Sequence, residues 1–460
     1  AIALLVLPLV FTSCSDYLDR DDDDNITEAD VFARYEKVNG LVSDVYAAAK
    51  KADRPLVFFE HFSNSAITDE CEGTNVEGNI TNNFNNGAWN PNSLPGSVGQ
   101  YWEALYEGIR KANLIIENVQ KYNTPDNPQQ DGDLRNRIGE MYFMRGYFHM
   151  LLLRMYGEAP YIDRVINAGD NMDFKKESVH SMVEKIVTDA QTAYGMVPNK
   201  YVKTSENFGR VDKGACLGLI SFVRWVAATP LWNGASQYGY NLRRVFENEY
   251  AYDATRWRKA KEAAKAVLDF EVGGTKRYSL YTKHDANDFK DPADGNLNDS
   301  RVYARLWDMF YDMDAFANEY VFFMTKSKDQ AWQGDIYPPS REGSSRQQPV
   351  QEQVDEYEYI VGDYGYPVYS AEARKGGYDD TNPYVKGTRD PRFYRDVIYH
   401  GAPYRNNKNE SKTINTASGS DKIGATNATT TGYYLRKFQQ ESWNKSGNFS
   451  INAPAIWRLP

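Results

Sequence analysis

The segment at 145–160, RGYFHMLLLRMYGEAP, places the strongest constraint on what this chain can fold into. Its apolar residues continue a stripe of helical period that begins at Leu134, and Gly157 and Pro160 end it, because neither residue continues a helix well. The guanidinium groups of Arg145 and Arg154 are expected to bond loop carbonyls or carboxylates nearby. The segment therefore predicts the inner helix of a helix-pair scaffold.

Other segments carry apolar residues at the same helical spacing. Together with the stripe above, they run through 27–46, 102–119, 134–155, 179–190, 212–227 and 253–268. Thr27, Asp212 and Asp253 are the predicted N-caps. Small residues recur where helices must approach closely, as at Gly214 and Gly218. The pattern predicts a mainly α fold of stacked helix pairs, in which any tetratricopeptide-like repeat is degenerate.

The remaining sequence is irregular. Residues 60–100 are rich in Asn, Gly, Ser and Thr and show almost no periodicity, which predicts a long loop. From Glu271 onward we expect only short strands, such as 319–325, and no long helix after Lys326. Since no Pro-, Gly- or Ser-rich boundary divides the chain, residues 27–460 are predicted to form one domain with a helical side and a loop-rich side.

Charge and cysteine content exclude several classes of protein. A formal net charge of -10 and the absence of a Lys/Arg block argue against nucleic-acid binding. Three cysteines without a CxxC motif exclude a disulfide scaffold and a zinc ribbon. Cys71 and Cys216 either pair in an oxidising compartment or are two separate buried thiols, and we favour the second.

The N-terminus resembles a lipoprotein signal. Residues 1–11, AIALLVLPLVF, are apolar but too short to span a bilayer, and FTSC at 11–14 resembles a bacterial lipobox that ends at an acylated Cys14. Acyl chains on Cys14 would anchor the protein in a membrane. The alternative is an ordinary cleaved signal with an incidental cysteine. The acidic residues 15–26 predict a solvated tether.

Signatures of catalysis are weak. The 5 His are scattered without HExxH or metal spacing, and no GxSxG or phosphate-binding glycine loop occurs, so we expect neither a metal nor another cofactor. Asp69, Glu70 and Glu72 form the one acidic cluster from which a glycosidase acid and base could be drawn. Adjacent carboxylates in a polar loop are usually solvated, and we therefore expect a protein that is not an enzyme.

Aromatic residues in polar loops are the better candidates for ligand contact. The chain holds 34 Tyr, 21 Phe and 9 Trp, and a sugar ring stacks on such side chains while amides, carboxylates and guanidinium groups bond its hydroxyls. The predicted ligand-binding residues are Trp89, Asn92, Trp332, Asp335, Tyr337 and Arg341. The alternative for each is local packing. Trp225, Trp257 and Trp307, in helical or semi-regular segments, are expected to pack in the core.

Several motifs together resemble the SusD/RagB family of outer-membrane nutrient-binding lipoproteins. Besides 145–160, they are YWEALYEGIRKANLIIENV at 101–119, GRVDKGACLGLISFV at 209–223, NEYVFFMTKSK at 318–328 and RDPRFYRDVIYHG at 389–401. Each is weak alone, but they occur in the family's order along the whole chain. Family members usually continue past a segment like AIWRLP, so we expect the closing C-terminal region to be missing after Pro460.

The resemblance implies both a fold and a function. It implies tetratricopeptide-like helix pairs packed against a loop-rich half, and a lipid-anchored protein on the cell surface of the outer membrane. Such a protein captures oligosaccharides and delivers them to a TonB-dependent, SusC-like transporter. Two alternatives stay open: a peptide-binding, RagB-like lipoprotein, and a surface glycosidase that uses the cluster from Asp69 to Glu72.

Overall fold

The structure is a computed structural model. It describes residues 27–52, 62–74, 80–90, 92–93, 96–123, 128–201, 207–234, 246–281, 318–323, 334–385, 387–405, 411–437 and 455–458. The predicted signal and tether, Cys14, Trp307 and Trp332 lie outside these ranges. Within them, no helix is both long and apolar enough to cross a lipid bilayer.

Helices dominate the first part of the chain. They are α1 (Glu28–Phe32), α2 (Tyr35–Ala52), α3 (Ile80–Asn85), α4 (Gly96–Tyr122), α5 (Pro128–Tyr156), α6 (Val179–Met196), α7 (Lys213–Ala228) and α8 (Ala254–Asp269). Helix α2 packs on α4, and from α4 to α8 each helix packs on the next one. This succession of neighbours is the predicted stack of tetratricopeptide-like helix pairs.

The predicted N-caps are confirmed. Thr27 forms a capping box with Asp30, and the carboxylates of Asp212 and Asp253 accept hydrogen bonds from backbone N–H groups in the first turns of α7 and α8. The first predicted helix is divided into α1 and α2. At the break, the Phe32 carbonyl accepts a hydrogen bond from the Asn123 side chain (2.9 Å).

Helix α5 is the inner helix of the stack. Its buried apolar residues lie on all sides: Met141, Phe143, Met144, Tyr147, Phe148, Met150, Leu151, Leu152 and Leu153. A helix that is apolar all round must be covered all round, and α5 is covered by α2, α4 and α6. Close approach to α4 requires glycine at 108, where an added Cβ would lie 2.5 Å from the Phe148 ring.

Polar groups also fix α5 within the stack. The Arg145 guanidinium donates to Asp189 Oδ2 (2.7 Å), to Asn113 Oδ1 (2.9 Å) and to the Asp163 carbonyl (2.9 Å). The expected scaffold role of Arg145 is therefore confirmed. Arg154 instead lies over the ring of Phe222, 5.7 Å from its centroid.

The rest of the described chain forms short strands and short helices. The strands are β1 (Ile67–Thr68), β2 (Cys71–Gly73), β3 (Glu271–Val272), β4 (Thr275–Lys276), β5 (Tyr320–Phe323), β6 (Gln347–Pro349), β7 (Tyr359–Val361), β8 (Tyr364–Tyr366), β9 (Val397–Ile398), β10 (Pro403–Arg405), β11 (Ser411–Thr413), β12 (Tyr434–Leu435) and β13 (Ala455–Arg458). The helices are α9 (Gln351–Asp355), α10 (Ala371–Lys375) and α11 (Pro391–Asp396). All pairings between these strands are antiparallel, including β1–β2–β6 and β5–β13.

Two expectations from the sequence need correction. The region 60–100 is not one loop, since it holds β1, β2, α3 and the first turns of α4. Trp225 and Trp257 are not core residues, because their side chains are 51% and 43% exposed on α7 and α8. Helix α8 packs mainly on α7, which leaves much of its surface uncovered. Cys71 and Cys216 are separate buried thiols, as favoured from the sequence.

Candidate functional site

Two segments far apart in the sequence form one surface, which we call the loop face: residues 62–74 with 80–93, and residues 334–349. Strand β2 of the first segment pairs with β6 of the second. The side-chain oxygen Oε1 of Gln347 accepts hydrogen bonds from Ser63 N (3.0 Å) and Ser63 Oγ (2.6 Å). Thr74 N donates to the Arg346 carbonyl (2.8 Å). The structure thus brings together the two loops that supply the predicted ligand-binding residues.

Trp89 presents part of its indole on the loop face. It is half-buried against an apolar cluster that includes Phe62, Ala66 and Val98. The Phe84 ring meets it edge-on, with ring centroids 4.9 Å apart and an interplanar angle of 85°. Phe84 is itself 39% exposed. The pair therefore offers solvent an anchored aromatic surface of the kind on which an apolar sugar face can stack.

Amide side chains lie next to this aromatic pair in the sequence. Asn83, Asn85 and Asn86 are exposed at and just beyond the end of α3. Asn92 is also exposed, and its backbone N–H donates to Asn90 Oδ1 (2.9 Å), which holds the turn after Trp89. An amide offers both a donor and an acceptor, so these side chains suit the hydroxyls of a sugar.

Phe84 and its amide neighbours were not among the residues predicted from the sequence. The signal was present, because Phe84 and Trp89 occur in the same short polar stretch, FNNGAWNPN. What the sequence did not show is that helix α3 ends between them and turns the two rings toward each other.

Asp335, Tyr337 and Arg341 lie in the second segment of the loop face, and all three are buried. The segment is closed by backbone bonds from Ser344 to Gly334 (2.8 Å) and from Arg346 to Asp335 (2.6 Å). Asp335 Oδ1 also accepts from Arg346 Nε (3.0 Å).

The Tyr337 ring sits in an apolar cluster of its own, and the guanidinium of Arg341 lies 5.6 Å from its centroid. This burial favours the packing alternative for these residues, and their contact with ligand stays a prediction. Trp332, two residues before Gly334, lies outside the described residues.

The acidic cluster lies at the β1–β2 turn. Asp69 and Glu70 are exposed, and Ser65 Oγ donates to Glu70 Oε2 (3.0 Å). Partial burial raises the pKa of the Glu72 carboxyl, while Asn85 Nδ2, which donates to both of its oxygens, opposes that shift. Two of the three carboxylates are therefore engaged in local hydrogen bonds that hold the turn.

A concave site lies on the helical side. A cavity of about 190 Å³ is lined by residues of α6, α7 and α8. Two of the cations that line it, Arg224 and Lys259, pair with Glu184, and these bonds lower the pKa of the Glu184 carboxyl to about 2. The third, Arg256, donates to Asn233 Oδ1 (2.8 Å) and to the Ala251 carbonyl (2.7 Å). Among the described residues, no group of three His, Cys, Asp or Glu side chains is arranged to hold a metal ion.

Family models match both halves of the chain. A model described as starch-binding and associating with the outer membrane matches residues 16–223. A second model, the SusD family, matches residues 306–459, so that the two matches together cover most of the chain. The chain belongs to the SusD/RagB family.

Individual SusD-like proteins share low sequence identity with this chain. A SusD-like protein P2 from Formosa agariphila is 24% identical over 202 residues, a match that covers 43% of this chain and 38% of that relative. The crystal structure of a SusD-like protein from Bacteroides fragilis covers 94% of this chain and 74% of its own, with 18% identity and a TM-score of 0.69. A laminarin-binding SusD-like protein covers 92% and 77%, with 16% identity and a TM-score of 0.51. At these identities, the two solved structures show the shared fold.

Proposed function

We propose that this protein binds glycans through the loop face, without catalysis, and passes them to an outer-membrane transporter. The observation that carries the proposal is the aromatic pair of Trp89 and Phe84, which is anchored below by an apolar cluster and flanked by exposed amides. A ring held in place before the ligand arrives loses little conformational freedom on binding. Family membership and the laminarin-binding relative support a glycan as the ligand.

The cellular setting is part of the same proposal. The protein would be anchored by lipid at Cys14, spaced from the membrane by residues 15–26 and exposed on the cell surface. Its partner would be a TonB-dependent, SusC-like barrel. The family description, which includes association with the outer membrane, supports this setting. Residues 27–460 would act as one domain.

The binding test uses Trp89→Ala on a soluble form that starts after Cys14. A glycan array that includes starch and laminarin first identifies the best ligand. The variant is expected to lose about fivefold in affinity for it, because one stacked ring contributes on the order of 1 kcal/mol. Trp225→Ala, which removes an exposed indole from α7, is the matched control and should bind normally.

Unchanged affinity of Trp89→Ala would move the site away from the aromatic pair. Trp332→Ala, measured in parallel, tests the other predicted indole and is expected to weaken binding similarly. Thermal unfolding of each variant separates lost contact from lost folding.

The two alternatives have their own readouts. Selective binding on a peptide array, with none on the glycan array, would support a RagB-like peptide ligand. Release of sugar products that is abolished by Glu70→Gln would contradict the binding-only proposal and support a glycosidase.

The anchor is tested by metabolic labelling with an acyl precursor. The wild-type protein should incorporate label and partition with membranes, whereas Cys14→Ala should do neither, because the thiol carries the acyl group. Label that persists in Cys14→Ala would refute the lipid anchor.

A further inference from the structure

A chain of hydrogen bonds joins polar and aromatic side chains beyond the end of β6. The hydroxyls of Tyr384 and Tyr433 are bonded to each other, and Tyr433 donates to Gln351 Oε1 (2.7 Å). Gln351 Nε2 donates in turn to Asp355 Oδ1 (2.7 Å), which also accepts from the Tyr369 hydroxyl (3.2 Å). These bonds link the exposed Tyr369 to the buried Tyr433 and the partly buried Tyr384.

Tyr369 is both exposed and fixed. Its side chain is 55% exposed, although its ring meets that of Tyr378 edge-on at 6.0 Å and its hydroxyl is held by Asp355. These two restraints reduce the conformational entropy that the ring would lose on binding a ligand, so the ring is preorganised for contact.

The position of this group connects it to the loop face. Helix α9, which carries Gln351 and Asp355, begins directly after β6, and Val350 N donates to the Glu70 carbonyl (3.3 Å). The hydrogen-bonded chain therefore begins beside the β1–β2 turn, at the end of the strand pair that supports the loop face.

We propose that Tyr369, Asp355 and Gln351 form a second sugar-contacting position, which extends the loop face for longer glycans. This inference rests on the proposed function. The Tyr369 ring supplies a stacking surface and Gln351 supplies an exposed amide. Asp355 Oδ2 accepts no hydrogen bond from any described residue, so it would accept one from a sugar hydroxyl. The occupant is a neutral oligosaccharide long enough to reach beyond the aromatic pair.

The test compares Tyr369→Ala with Tyr364→Ala by calorimetry. Tyr364 is a matched control, since it lies in the β7–β8 hairpin of the same half and is 69% exposed. The ligands are maltooligosaccharides and laminari-oligosaccharides of increasing length. Tyr369→Ala is expected to lower affinity about fivefold for the long oligomers and to leave that for the shortest unchanged. Tyr369→Phe, which keeps the ring, should lose less than Tyr369→Ala.

The outcomes distinguish failure of the second sugar-contacting position from failure of glycan binding itself. Equal losses in Tyr369→Ala and Tyr364→Ala, or a loss that does not depend on oligomer length, would overturn the second position while glycan binding by the wild type stands. Absence of glycan binding by the wild type would overturn both.

Discussion

His149 shows how a single polar side chain is accommodated inside the helical stack. Its Nδ1 lies 2.8 Å from the Arg145 carbonyl, and its Nε2 accepts from Ile162 N (3.0 Å). The ring stacks on Tyr161, with centroids 3.7 Å apart. Burial, with a smaller contribution from the nearby Arg145 charge, lowers the pKa of the imidazole to about 3. The folded protein therefore holds this histidine neutral.

This arrangement predicts a loss of stability in mild acid. Unfolded, His149 takes up a proton below its ordinary pKa near 6.5, whereas the folded protein takes it up only near pH 3, so the unfolded state binds more protons in between. From this residue, stability should fall as pH decreases below 7, with a slope that approaches roughly 1.4 kcal/mol per pH unit below about pH 6. Denaturant unfolding at pH 7, 6 and 5 measures how the unfolding free energy depends on pH. In the His149→Gln variant this dependence should be shallower by about that amount. Equal slopes would contradict the buried neutral imidazole.

Residue roles in loops were the hardest to predict from the sequence. Trp89 and Tyr337 both lie between turn residues, and both were assigned to ligand contact. The structure leaves part of Trp89 exposed but covers Tyr337 completely, with Ile336, Ile398 and Tyr434 around it. Ile398 and Tyr434 come from distant parts of the chain, so the sequence around Tyr337 does not indicate that they cover it. Trp225 and Trp257 were predicted to pack in the core but are exposed. Helical spacing does not show which faces of a helix have neighbours.

At the scale of elements, the contact between α4 and α5 depends on Gly108. A Cβ there would lie 2.5 Å from Cζ of Phe148, so Gly108→Ala must displace the ring or separate the helices. Overpacking of this kind costs about 1–3 kcal/mol, and the variant should lose that much unfolding free energy in urea.

Gly99→Ala, in the same helix, is the matched control for Gly108→Ala. An added Cβ at Gly99 meets no atom within 4 Å, and alanine favours helix over glycine. This control should be neutral or slightly stabilising. A neutral Gly108→Ala would show that the helix contact is looser than the structure gives.

Helices were predictable because their signals are local. The period of apolar residues and the capping side chains of Thr27, Asp212 and Asp253 lie within a few residues of the elements they define. Strands β1 and β2 were missed because they are two and three residues long and need β6 as a partner. A segment that short has no periodicity to detect, and its pairing is decided far away in the sequence.

At the scale of the whole molecule, Gln348 links three parts of the chain. It is fully buried in β6, which pairs with β2. Its Nε2 donates to the Ser345 carbonyl (2.7 Å), while Oε1 accepts from Thr430 N (2.7 Å) and Thr429 Oγ1 (3.0 Å). Such contacts between distant segments support the proposal that residues 27–460 fold as one domain.

Gln348→Ala should therefore destabilise the molecule as a unit. It leaves buried donors without an acceptor, at a cost of about 1–3 kcal/mol each. Far-ultraviolet circular dichroism follows the helices, and near-ultraviolet signals follow the aromatic packing of both halves. The unfolding transitions followed by the two signals should shift together to a lower temperature. Glu352→Ala, at an exposed position of α9, should shift neither transition. Two separate transitions would contradict a single cooperative domain.

The bond between Ser63 and Gln347 joins residues that are 284 positions apart in the sequence, and this separation affects the order of folding. In a chain that is exported from its N-terminus, Ser63 arrives well before Gln347, because the residues between them must follow first. Helices α4 to α8 contact mainly their neighbours in sequence and have no such wait. The stack is therefore available to assemble early, and the surface that holds Trp89 is completed only after the second half of the protein has been made.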